Sequence, residues 1–188
     1  MATNSGSTRT LFATPEFTKT WLALDSNIDE PIITATLRDA EDVHIKAILG
    51  GNLYYTLIEK INSNTLTGDY KFLMDNFVIA CLMQYFLYEF TFTGSYKFKN
   101  IGMVKQVSEN SESVSEEERN KVRTNIMKKA MALEDAIIRE TRVNSHKYPE
   151  INMIAPDMQA PRAEAYRSTI FVPGMYNRGK WNTEDLYN

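Results

Sequence analysis

Histidine and cysteine are nearly missing from this 188-residue chain, which has two of the first, His44 and His146, and one of the second, Cys81. A single cysteine cannot close an internal disulfide, so the fold does not depend on oxidation. Nor can it build a paired-cysteine zinc site. Cys81 lies in an apolar run, where a free thiol behaves as a small hydrophobe. Glycine is scarce as well, at eight residues. No glycine sits in a strand–glycine–helix pattern that would cradle a phosphate, and there is no nucleophile elbow and no HExxH sequence. An excess of one charge is also missing: 21 Lys and Arg face 24 Asp and Glu, a net of −3. That balance excludes a globally basic nucleic-acid binder and a wholly disordered acidic chain. Residues 1–10 are rich in Ser, Thr and Asn and lack the apolar stretch of a secretory signal. The longest apolar run, residues 72–92, is interrupted by Asp75, Asn76, Gln84 and Glu89. A membrane span needs about 20 predominantly apolar residues, so the expectation is a soluble helix and cytoplasmic synthesis, with no membrane contact.

What is present is helical pattern. Thr14, Pro15 and Glu16 form a helix start: a capping hydroxyl, a proline at the first helical position and an acid in the first turn. A second helix is expected over residues 29–49, with Ile33, Leu37, Ala40, His44 and Ala47 or Ile48 on its buried face. Gly50-Gly51 should end it. A third follows at once, with Leu53, Leu57 and Ile61 on one stripe. Asp69 begins the most apolar helix, to about Phe92, which predicts a central position. Its main face should carry Leu73, Phe77, Ala80, Cys81, Gln84, Leu87 and Tyr88. Residues 94–108 alternate Tyr96 and Phe98 with Lys97 and Lys99, pass Gly102 and resume, which predicts a β-hairpin. Ser115 and Glu118 form a capping box for a last helix to about Val143. Val122, Ile126, Ala130, Leu133 and Ile137 form its inner stripe.

The resulting fold class is mainly α: a helical-bundle adaptor domain with an inserted β-hairpin and a long extended C-terminal arm. Residues 1–13 are read as an N-terminal arm, 14–148 as the domain (hairpin 94–108) and 149–188 as the arm. The last segment holds four of the six prolines and only isolated apolar residues. A structureless stretch of that length points to a linker or a functional arm. Phe171, Met175, Tyr176, Trp181, Leu186 and Tyr187 are its candidate anchors for a partner surface.

No catalytic constellation emerges, and no cofactor is implied. Glu41 and His44 have the Glu-x-x-His spacing of di-iron helical bundles, but such a site needs a second copy, and Val143 stands three before His146. A hydrogen-bonded core histidine is the simpler reading of His44. A helical-bundle metalloprotein stays as the alternative. Asp39, Glu41 and Asp42 are read as a solvated helix face. Lys97, Lys99 and Lys105 in the hairpin could touch DNA phosphates or a protein partner, or simply guard an edge strand. A DNA-binding packaging factor is therefore a second alternative.

Several stretches together carry a likeness. Ile48-Leu49-Gly50-Gly51-Asn52-Leu53-Tyr54 is followed by Leu66-Thr67-Gly68-Asp69-Tyr70, and the aromatic helix ends at Tyr88-Glu89. Asn100-Ile101-Gly102-Met103-Val104 and Ser108-Glu109-Asn110-Ser111 come next. In this order, over roughly residues 14–150, they resemble the small head-to-tail connector proteins of phages infecting Bacteroidetes. The nearest likeness is to the first ring below the portal in crAss-like phages. The resemblance implies a non-enzymatic virion protein of the neck, met in the host cytoplasm during assembly. It also implies a homo-oligomeric ring, commonly of twelve copies, and contact with the portal protein and with further ring or tail proteins. The ring would line or seal the DNA channel, touching genomic DNA non-specifically.

Overall fold

The computed structural model describes residues 9–93, 96–99, 102–105, 115–153 and 160–161. Within them the chain is mainly helical. Helix α1, Pro15–Leu22, starts where the Phe17 amide donates to Thr14 Oγ1 at 3.2 Å. It stops at Ala23, whose left-handed φ of 49° lets its amide reach the carbonyls of Lys19 and Thr20. Helix α2 covers residues 30–49 as one uninterrupted run: α-helical at Glu30–Ala40, π-helical at Glu41–Ile45 and α-helical again at Lys46–Leu49. Gly50 then takes φ 75° and ψ 159°. That region is essentially closed to residues with a Cβ, so the corner into α3, Gly51–Asn62, requires glycine. Helix α4, residues 68–93, has the same construction as α2: Gly68–Leu73, a π turn at Met74–Val78, then Ile79–Thr93. Helix α5, Glu116–Val143, carries both halves of the capping box between Ser115 and Glu118. Between α4 and α5 the backbone of β1, Tyr96–Lys99, pairs antiparallel with that of β2, Gly102–Lys105. A 3₁₀ turn, Pro149–Asn152, follows α5.

The core forms where α2 and α5 both pack on α4. Ile33, Leu37, Leu53, Leu57, Leu73, Cys81, Leu82, Tyr85 and Phe86 are fully buried in it. Each side chain of Leu or Phe size is worth about 1.5–3 kcal/mol when removed from water.

Both π turns lie inside buried stripes. Leu37, Glu41 and Ile45 are fully buried in α2, and Met74, Val78, Leu82 and Phe86 are buried in α4, each set at steps of four. Helical spacing thus carries the stripe through each turn. In α4, Val78, Leu82 and Phe86 take the central place, together with Cys81 and Tyr85. The expected Phe77, Ala80, Gln84, Leu87 and Tyr88 are only partly buried.

Three further expectations need correcting. Phe12 and Ala13 belong to the core, so residues 9–13 are not a free arm. Residues 149–153 also lie on the domain, with Ile151 packed against the core. Val122 is 52% exposed, because the buried part of α5 begins only at Ala130. The rest of residues 1–13, and the arm beyond 153 apart from residues 160–161, lie outside the described residues.

Candidate functional site

Both ends of the described chain are tied to the start of α3 and its surroundings. The C-terminal tie begins with Asn52, in the first turn after the Gly50 corner. Its side-chain amide donates to the Met153 carbonyl. Asp69 and Tyr70, in the first turn of α4, hold the segment just before. The Tyr70 hydroxyl donates to Glu150 Oε1 at 2.7 Å, and the Tyr148 hydroxyl donates to the Asp69 carbonyl at 3.2 Å. The two tyrosine rings meet edge to face at 5.9 Å, and Lys60 Nζ sits 4.4 Å from the Tyr70 ring centre. Lys147 adds an ion pair to Asp69 at 3.5 Å. Burial pushes the Tyr148 phenol up to about 12, helped by the charges of Glu140 and Asp69. Burial, with the Glu150 carboxylate next, pushes Tyr70 in the same direction. Both phenols therefore remain protonated donors at neutral pH.

The N-terminal tie is built on Glu41. Glu41 follows the buried Leu37 by four residues, and its side chain has no exposure at all. Glu41 Oε1 accepts from the Phe12 amide at 2.7 Å, and Oε2 accepts from the Tyr54 hydroxyl at 3.1 Å. Arg9 stands 3.7 Å from Oε2, donates to Tyr54 Oη and pairs with both oxygens of Asp42 at 2.6 Å. Thr10 donates to Asn62 Oδ1, and the Phe12 ring packs on Tyr54 at 5.1 Å. Burial holds the Glu41 carboxyl up at about 7. The Phe12 amide, the Tyr54 hydroxyl and Arg9 oppose it. Reading residues 39–42 as a solvated face is therefore wrong for Glu41, though Asp39 and Asp42 are exposed. The signal that could have found it is spacing: Ile33, Leu37, Glu41 and Ile45 recur at steps of four.

Residues 45–153 match the model of a family of unknown function, DUF6712. The chain belongs to that family. No curated protein and no solved structure matches it. The matched stretch ends at Met153, the last residue of the C-terminal tie, and contains that tie whole. Of the N-terminal tie it contains Tyr54 and Asn62 but neither Arg9 nor Glu41.

A third polar group links the three core helices. His44 on α2 stacks on Tyr85 of α4 at 4.0 Å, with 7° between the rings. The Glu89 carboxylate accepts from His44 Nε2 at 2.9 Å. The Tyr85 hydroxyl in turn donates to Glu134 Oε2 on α5. Glu41 and His44 thus serve different neighbours, since the π turn between them removes the shared face that α-helical i, i+3 spacing would give. Among the described residues, no three His, Cys, Asp or Glu side chains gather as a metal ion would require. No described helix is long and apolar enough to cross a membrane.

The other candidates from the sequence fall partly beyond view. Phe171, Met175, Tyr176, Trp181, Leu186 and Tyr187 lie outside the described residues. For Lys97, Lys99 and Lys105 the backbone register is defined: Lys97 pairs with Val104, Lys99 with Gly102 and Lys105 with Tyr96. Strand positions alternate in pairs, so Lys97 and Lys99 share one set and Lys105 belongs to the other.

Proposed function

We propose that this chain is a non-enzymatic structural subunit of the head-to-tail connector of a tailed phage, forming a ring between portal and tail. The observation that supports the reading best is the use made of the motif residues behind the resemblance. Asn52 from the Gly50 corner, and Asp69 and Tyr70 from the second motif, hold residues 148–153. The body thus closes on itself at Met153. The 35 residues beyond it carry Phe171, Met175, Tyr176, Trp181, Leu186 and Tyr187 as a portal-gripping arm. A fixed exit point lowers the ordering cost when such an arm binds, and aromatic anchors dominate interfaces of this kind. The β1–β2 segment, carrying Lys97, Lys99 and Lys105, would project as a hairpin toward DNA or a neighbouring ring. The ring's channel would be lined or sealed by these subunits.

Truncation after Ala155 tests the reading, because it keeps the whole C-terminal tie. The shortened protein should fold normally, stay out of assembled particles and fail to bind portal rings. Incorporation at the full-length level would refute the arm's role and, with it, the main support for a connector.

A further inference from the structure

Charge is balanced over the whole chain but not along it. Residues 20–37 hold three acids, Asp25, Asp29 and Glu30, and no Lys or Arg. Residues 119–133 hold five cations, Arg119, Lys121, Arg123, Lys128 and Lys129, and no Asp or Glu. The first stretch forms the corner between α1 and α2, and all three acids there are exposed. Lys19, just before it, reaches Glu30 at 4.0 Å and leaves Asp25 and Asp29 without an ion pair among the described residues. The second lies on α5 after the exposed acids of its first turn, Glu116, Glu117 and Glu118, and runs into the part of the helix that is buried from Ala130. There Arg119 and Arg123 turn inward, the latter 4.2 Å from the centre of the Tyr88 ring, while Lys121, Lys128 and Lys129 are exposed.

Each surface also carries apolar area that its own fold leaves uncovered. On α1, Phe17 and Trp21 pack together at 5.4 Å and are 40% and 51% exposed. On α5, Val122 is 52% exposed, next to Lys121 in the chain and two turns before Lys129. Apolar centres with polar rims are the usual build of protein interfaces. Helix α1 packs on Glu30–Ala40, which packs on α4, whereas α5 packs on α4 and on the last turn of α2, Lys46–Leu49.

We propose that the acidic, aromatic α1–α2 corner of one copy docks on the basic, exposed face of α5 in the next copy. This rests on the ring reading above and names its interface. Two different, complementary patches on one chain make a heterologous contact, and such contacts close into rings when the rotation allows. The charges set register and reject like-to-like pairing, while Trp21, Phe17 and Val122 supply the area removed from water. The opposite signs select a copy of this chain over duplex DNA, which could use only the basic half.

Charge swapping tests the inference on the full chain, by sedimentation at high protein concentration. Self-association should weaken at least about tenfold between about 50 and 300 mM salt, as screening predicts for rim charges. Lys121→Glu with Lys128→Glu should abolish it, and so should Asp25→Lys with Asp29→Lys. Mixing the two variants, or joining all four changes in one chain, should restore it. Thermal melting of each variant separates misfolding from lost contact, and recovery in the mixture excludes misfolding directly. The proposal is overturned if both pairs of changes leave association intact, or if neither the mixture nor the fourfold variant recovers. It is also overturned if the α5 changes abolish duplex-DNA binding but not self-association. Particle incorporation separates this from the connector reading. Charge-dependent rings that never join a portal would refute the connector alone, and incorporation that survives all four changes would refute this interface alone.

Discussion

Raising the pH should loosen this fold through Glu41, and the size of the effect follows from the site. In the folded chain the carboxyl sits near 7, against an ordinary value of 4.5. The fold therefore binds this proton more tightly than the unfolded chain does. Stability from neutral Glu41 is complete below 4.5 and is lost as the pH rises through 7. That gap is worth about 3 kcal/mol at about 1.4 kcal/mol per pH unit. The side chain has no exposure, so solvent does not screen the effect. A loss of that size is a large fraction of the 5–15 kcal/mol typical of a whole domain.

The assay is urea unfolding from about pH 4.5 to about pH 8 for the wild type and for Glu41→Gln. Glutamine keeps an oxygen for the Phe12 amide and cannot ionise. Subtracting its profile removes the titrating groups that do not interact with Glu41, such as the exposed Glu30 of α2, and leaves Glu41 with its coupled neighbours Asp42 and Arg9. The wild type should lose stability relative to the variant as pH rises, most steeply between about 5 and 7. Parallel profiles would refute the argument. So would a wild type that gains on the variant. That outcome would mean that the Phe12 amide, the Tyr54 hydroxyl and Arg9 together outweigh burial and hold a carboxylate.

Gly50→Ala should cost about 1–3 kcal/mol in the same measurement, because φ 75° with ψ 159° is closed to a residue with a Cβ; a neutral result would mean that the corner relaxes. Tyr85→Phe should cost about 1–3 kcal/mol, since it removes a hydroxyl donated to the buried Glu134 while keeping the ring under His44. Deleting residues 1–13 should lower stability by roughly 3 kcal/mol or more through the loss of Phe12 alone. Truncation after Ala155 should change the thermal midpoint by no more than a surface substitution does, within about 0.5 kcal/mol.

How much of this was legible in the sequence depends on how local each feature is. The Thr14 cap, the Ser115–Glu118 box and the Gly50 corner rest on a few adjacent residues, and the structure places them where those residues require. The mainly helical class follows from many such signals acting together. The ties at residues 9–13 and 148–153 were not legible, because each joins segments far apart in the chain: Arg9 with Tyr54, Asn52 with Met153. A polar or proline-rich composition made both segments look like free arms.

The choice of stripe accounts for the remaining differences. A count by threes and fours admits two stripes in α2: Leu37, Ala40 and His44, or Leu37, Glu41 and Ile45. The structure buries Glu41 and Ile45 completely and leaves His44 half-buried. In α4 the buried residues are likewise Met74, Val78, Leu82 and Phe86, at steps of four, in place of Phe77 and Gln84. Both stripes keep helical spacing, so the choice between them depends on the neighbours that each meets. Polar residues on the second stripe, such as Glu41, then become candidates for burial with a bonded partner, since an uncompensated carboxyl there would cost several kcal/mol. Glu41 meets that demand with the Phe12 amide and the Tyr54 hydroxyl, and in doing so draws the N-terminal segment into the core.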